Sequence, residues 1–99
     1  MKYSFHPEAK EEFLESIDYY KSRRTGLGLE FANEIYSTIQ RIIQFPAAWP
    51  EFSDSTRRCL AQRFPFGIIY QAMEDKDEIL IIAVMQVNRK PGYWKDRLR

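Results

Sequence analysis

Cations and aromatic rings are interleaved over Met85 to Arg99 (MQVNRKPGYWKDRLR). Arg89, Lys90, Lys95, Arg97 and Arg99 surround an adjacent Tyr93-Trp94 pair, and Asp96 alone opposes those five cations. Cations attract phosphate or carboxylate, and rings add stacking or an apolar anchor, so this segment has the composition to bind nucleic acid or an acidic partner. The same residues also suit a solvated helical tail whose two rings fold back onto a sheet. Composition alone favours neither reading.

A second basic set is Arg57, Arg58 and Arg63. Strand alternation places Arg57, Cys59, Ala61 and Arg63 on one side and Arg58, Leu60 and Gln62 on the other. Sharing a surface with Arg89, Arg57 or Arg63 would hold phosphate or stabilise charge in phosphodiester cleavage. Metal-free cleavage also needs a general acid and a general base. Arginine stays protonated and cannot be the base, which leaves Tyr93, Lys90 or Lys95. His6 is the single imidazole and stands where a helix N-cap would, so it reads as structural. Glu8, Glu11, Glu12 and Glu15 read as a solvated helix face, and Cys59 reads as a small buried apolar group. Gly26-x-Gly28 lies between helices, so it is a turn and not a phosphate cradle. No metal or cofactor site is expected.

These residues need a frame. Lys2 to Phe5 alternate and read as a short strand. Pro7 opens a helix whose apolar stripe is Ala9, Phe13, Ile17 and Tyr20, and the helix stops before Gly26. A second helix runs from about Leu27, with Phe31, Ala32, Ile35, Ile39, Ile42 and Ile43 as its stripe, and Pro46 ends it. Residues 46–56 form a loop, and three strands follow at about Arg57–Arg63, Phe66–Met73 and Glu78–Val87. The last two make a hairpin around the acidic turn at 74–78. The plan is α+β: an N-terminal strand and an antiparallel helical hairpin packed on a small antiparallel sheet.

Ninety-nine residues make one domain, 1–99, with one core and no separate regulatory unit. A 44% hydrophobic and 29% charged chain is ordinary for a soluble globular protein, whereas 15% aromatic residues imply a core or binding surface built on large rings. No apolar run nears the ~20 residues of a membrane span, and the start lacks a signal-peptide core. One cysteine excludes an internal disulfide, so the cytoplasm is the expected compartment. Residues 1–56 hold six Lys/Arg against nine Asp/Glu, while residues 57–99 hold nine against five. That asymmetry points to a polar partner met mainly by the second half.

In order and spacing, the sequence resembles the ParE branch of the RelE/ParE toxins of bacterial type II toxin–antitoxin operons, which include plasmid-stabilisation modules. The carrying pieces are Arg57-Arg58, Phe64-Pro65-Phe66 leading into Ile68-Ile69-Tyr70, and Ala83-Val84 followed by Arg89-x-Pro91-x-Tyr93-Trp94-x-x-Arg97. In the front half they are His6-Pro7-Glu8-Ala9, Asp18-Tyr19-Tyr20, Phe45-Pro46 and Trp49-Pro50. The resemblance implies a toxin that poisons DNA gyrase and is held inactive by a cognate antitoxin, with Arg89, Pro91, Tyr93, Trp94 and Arg97 meeting the target. The RelE branch implies the alternative, a ribosome-dependent mRNA endonuclease using Arg57, Arg63, Arg89, Tyr93 and Lys95. ParE-like sequences often carry His and Arg where this chain has Gln86 and Asn88, and the loss of two charges raises a third reading, a non-toxic antitoxin-binding module. An apolar groove built by Tyr20, Tyr36, Trp49 and Phe52 is the expected antitoxin surface, unless those rings fill the core.

Overall fold

Pro7 occupies the first turn of a helix, where its missing N–H is harmless, and His6 Nδ1 accepts the Glu8 N–H at 3.1 Å. The computed structural model describes residues 1–53 and 55–99. Its elements are β1 (Lys2–Phe5), α1 (Pro7–Arg23), α2 (Leu27–Gln44), β2 (Arg57–Leu60), β3 (Phe66–Met73) and β4 (Glu78–Gln86), with short 3-10 turns at Glu74–Lys76 and Lys95–Arg97. Gly26 turns the chain between the helices with φ +85°, a conformation open to glycine. Gly28 lets the helices touch: a Cβ there would sit 2.8 Å from the Ile17 carbonyl oxygen.

The sheet has the order β1-β4-β3-β2. β2, β3 and β4 pair antiparallel, as expected, but β1 lies parallel to β4, so the sheet is mixed. Two successive hairpins leave β4 running in the direction of β1, and β1 pairs with its outer edge. β2 ends at Leu60, three residues before the expected Arg63, because the chain turns there and the Ala61 N–H donates to the Phe66 carbonyl at 2.9 Å.

One face of the sheet packs on the helices. Ala9, Phe13, Phe31, Ile35, Ile39 and Ile42 meet Cys59, Phe66, Ile68, Tyr70, Ile79, Ile81 and Val84 there. The opposite face holds Ile69, Leu80, Ile82, Ala83 and Met85. β4 therefore changes phase: Ile82 and Ala83 both point away from the helices, because Ala83 pairs with Ile69, Ile81 pairs with Tyr70, and Ile82 is left between as a bulge.

The C-terminal tail covers that second face. Trp94 is 0% exposed among Ile69, Leu80, Ile82, Ala83 and Met85, with Phe52, Met73, Tyr93 and Leu98 packed around it. Burying an aromatic side chain of that size contributes roughly 2–3 kcal/mol or more. Gln71 secures the tail's end, donating to the Arg99 carbonyl at 3.1 Å and accepting the Arg99 N–H at 3.0 Å. Of the two readings of the tail, the one in which the rings fold back onto the sheet describes the indole of Trp94 fully and the half-buried Tyr93 in part.

Candidate functional site

A bulge disrupts a ladder, and the groups it frees need partners. The Ile82 carbonyl accepts from Arg97 Nη1 at 3.0 Å, and the Val84 N–H donates to Glu12 Oε1 at 3.0 Å. The same two side chains form an ion pair at 3.0 Å, with the side chain of Arg97 9% exposed and that of Glu12 15%. Glu8 Oε2 lies 3.4 Å from Arg97 Nε, a charge contact without hydrogen-bond geometry. Burial acts to lower the Arg97 pKa, but the Glu12 carboxylate, with smaller help from Tyr93 and Glu8, more than reverses this and leaves it above the usual arginine range. Arg97 is thus a permanent internal cation. Glu12 departs from the solvated face expected of the glutamate series, and the sequence signal was its place beside Ala9, Phe13 and Ser16 on the inward side of α1.

Tyr93 joins this cluster. Its ring centroid is 3.5 Å from the Arg89 guanidinium carbon and 5.1 Å from that of Arg97. Its hydroxyl is buried without a hydrogen-bond partner among the described residues. Burial first, and then the Glu12 carboxylate, push the phenol well above its ordinary range, so it stays protonated at neutral pH. Arg89 Nη1 is 3.8 Å from Glu12 Oε2, yet its side chain remains 54% exposed. Lys90, Pro91 and Lys95 are exposed beside it, around a turn where the half-buried Gly92 has φ +95°. Arg89, Glu12, Glu15, Tyr19, Phe66 and Val84 line part of a cavity of about 260 Å³ at this end of the sheet. Gln86 lines the same cavity, and Asn88 is exposed on the turn that follows it.

The other basic residues lie elsewhere. Arg57 Nη1 donates to the Trp49 carbonyl at 2.7 Å, in register with Tyr70 and Ile81 and away from Arg89. Arg63 Nη2 pairs with Glu30 at 2.8 Å, and Glu30 also meets Arg24 at 3.6 Å. Arg58 lies over the Phe52 ring at 4.4 Å on the tail's side of the sheet. The fold therefore does not gather Arg57, Arg63 and Arg89 around one phosphate position: each is held by a different carbonyl, carboxylate or ring. No group of three metal-ligating side chains converges among the described residues.

The four rings expected at an antitoxin surface separate by environment. Tyr20 is partly buried against Phe31, Phe64 and Phe66. Tyr36 is 44% exposed and edges onto Phe13 at 5.4 Å. Trp49 and Phe52 are half-buried and line a groove of about 310 Å³ with Pro50, Arg58 and Leu60. Leu60 is itself exposed on the outer strand. The rings do not share one groove.

The fold has parallels among known proteins. Residues 3–91 match the family model for the ParE toxin of the type II toxin–antitoxin system parDE. The chain belongs to the ParE toxin family. As a member it is the toxin component of a type II toxin–antitoxin system, and membership implies a cognate antitoxin. A chain of the chromosomal ParDE toxin–antitoxin system from P. aeruginosa superposes with a TM-score of 0.72 at 19% identity, covering 87% of this chain and 95% of that one. The isolated E. coli RelE toxin superposes with a TM-score of 0.62 at 13% identity, covering 96% of this chain and 93% of that one. At such identities the two structures speak for the fold alone, a helical hairpin on a small sheet. No functionally curated protein matches the ParE-family sequence described here. No helix of the described residues is long and apolar enough to cross a membrane.

Proposed function

We propose that this ParE-family toxin acts in the cytoplasm as a non-enzymatic inhibitor of DNA gyrase and is silenced by its cognate antitoxin. The observation that carries the reading is the division of labour in the tail. Trp94 and Arg97 are internal, while Arg89, Lys90 and Lys95 stay exposed on either side of the turn at Pro91 and Gly92. A braced cationic corner suits docking to an acidic protein surface or to DNA phosphate. Arg89, Pro91 and the exposed edge of Tyr93 are the target-facing residues in this proposal, while Trp94 and Arg97 act from beneath.

Chemistry argues against the mRNA endonuclease. The Tyr93 phenol is held protonated, so it is no base, and its hydroxyl is buried away from any substrate; Arg57, Arg63 and Arg89 do not converge. That leaves Lys95 without a partner for general acid–base work. For the antitoxin, Tyr36 on the helical hairpin and Trp49 and Phe52 beside β2 offer partly exposed apolar area, while Tyr20 is engaged with Phe31, Phe64 and Phe66. Gln86 and Asn88 border the cationic corner and set the third reading, a binder that has lost its toxicity.

Supercoiling by purified gyrase is the deciding assay. Inhibition by stoichiometric toxin, relieved by the antitoxin, is the expected result. Active gyrase in excess toxin ends this reading. Cleaved reporter transcripts in a translating extract would then revive the nuclease, whereas normal growth on induction of soluble protein would leave the antitoxin-binding module.

A further inference from the structure

The Glu12 carboxylate is fixed before it reaches Arg89. Its Oε1 takes the Val84 N–H at 3.0 Å and faces Arg97 Nη1 at 3.0 Å, so the backbone of β4 and a buried cation both hold it. Its Oε2 then stands 3.8 Å from Arg89 Nη1. Tyr93, whose hydroxyl is buried beside Glu12, supplies the ring 3.5 Å from the Arg89 guanidinium carbon. Arg89 leaves β4 through a turn closed by its own N–H on the Gln86 carbonyl at 3.1 Å. A guanidinium on a flexible stem at such a turn would sweep a wide arc. A carboxylate and a ring together select one direction for it and leave donors turned outward.

Among the described residues no other acid makes this link. Glu8 reaches only Arg97 and is 60% exposed. Glu15 lines the neighbouring cavity but forms no ion pair among the described residues.

We infer that Glu12, on the first helix, is a positioning residue that aims the Arg89 guanidinium at the target. The inference rests on the reading of Arg89 as target-facing. A cation held in its bound direction loses less rotamer freedom on docking, a gain of roughly three- to tenfold in affinity for one such side chain. Glu12 therefore couples the helical hairpin to the strength of the toxin without touching its target.

Glu12→Gln tests this, since the amide keeps the size and an acceptor for Val84 but removes the charge. Arg89 side-chain protons in the wild-type protein should resonate upfield, shifted by the Tyr93 ring current. In E12Q that shift should collapse while far-UV dichroism and cooperative unfolding persist; a retained ring shift overturns the inference. Should E12Q not fold, Glu12→Asp keeps the charge but withdraws it by one carbon, and the same loss of ring shift is expected. A retained shift in E12D then overturns the inference in the same way.

Gyrase inhibition supplies the second readout through a double-mutant cycle. E12Q should weaken inhibition about three- to tenfold in the wild-type background. It should add nothing in an Arg89→Gln background. Equal losses in both backgrounds mark a merely structural role and overturn the inference. Full inhibition by R89Q overturns it differently, by removing the target-facing premise while the NMR restraint stands, so the two failures are told apart.

Discussion

Arg97 Nη1 lies 3.0 Å from Glu12 Oε1 where the edge of β4 runs on past the end of β1. At this place the two side chains do what a further length of β1 would do. Arg97 donates to the Ile82 carbonyl and Glu12 accepts from the Val84 N–H, each at 3.0 Å. A residue from the tail and a residue from the first helix thereby complete the sheet.

Removing one member leaves the other charge buried without its counter-ion. Arg97→Ala should lower unfolding free energy by roughly 3–5 kcal/mol, the usual cost of breaking a buried pair from one side. Urea denaturation monitored by dichroism reads this directly. A loss below about 1 kcal/mol would mean that the pair is solvated and that the tail is not anchored by it.

Trp94 and Trp49 should behave as two distinct fluorophores, because Trp94 is fully buried and Trp49 half-buried. In Trp49→Phe the remaining emission should be blue-shifted and resist acrylamide quenching. Trp94→Ala should destabilise by roughly 3–5 kcal/mol, and dye binding to the exposed sheet face should appear with it.

Arg89→Gln and Lys95→Gln make the opposite test. Both side chains are largely exposed, so each change should alter stability by no more than about 0.5 kcal/mol. Growth arrest on induction should nonetheless weaken, for Arg89 most. Unchanged toxicity with unchanged stability would move the target contact off the tail.

Gly28→Ala should open the helical hairpin. The new methyl would stand 2.8 Å from the Ile17 carbonyl oxygen, a backbone atom that cannot step aside, and overpacking of this kind costs about 1–3 kcal/mol. A thermal melt is sufficient. An unchanged midpoint would show that the helices have room to separate.

Stability should be lost in alkali and not near neutrality. Burial pushes the Tyr70 phenol up to about 12, and the Tyr93 phenol is raised further. Both raised values mean that the unfolded chain releases these protons first. Both contributions are complete below pH 10, the ordinary tyrosine value; that of Tyr70, on the order of 2 kcal/mol, disappears as pH climbs through 12, and that of Tyr93 persists to higher pH. Chemical denaturation at pH 8, 10 and 12 measures it; a flat profile contradicts the burial of these rings.

Periodicity was enough for most elements. The 3.6-residue stripes of Phe13, Ile17 and Tyr20 and of Phe31, Ile35 and Ile39 locate both helices, and Phe66–Met73 appears with its expected bounds. The bulge at Ile82 was not legible. Ile79 to Met85 are apolar at every position, so no alternation exists for an extra residue to break. The same run held an unused clue about the tail: a strand apolar on both sides has two faces to bury, and one helical hairpin covers only one. Trp94 and Arg97 follow from that requirement, although cations beside rings look identical in sequence whether they cover a sheet or face a partner. The mixed sheet was hidden for another reason, since the parallel partner of β1 begins 76 residues later at Glu78.

That pairing of β1 with β4 has a consequence for timing. During synthesis β1 finds its neighbour only when residues 78–81 emerge, and the first helix receives its counter-ion only when Arg97 does. Until then the ribosome carries a helical hairpin whose apolar face has no finished sheet beneath it, and closure by such distant contacts is slow. The toxin is therefore assembled late and all at once, which gives the cell an interval in which the chain exists but the weapon does not.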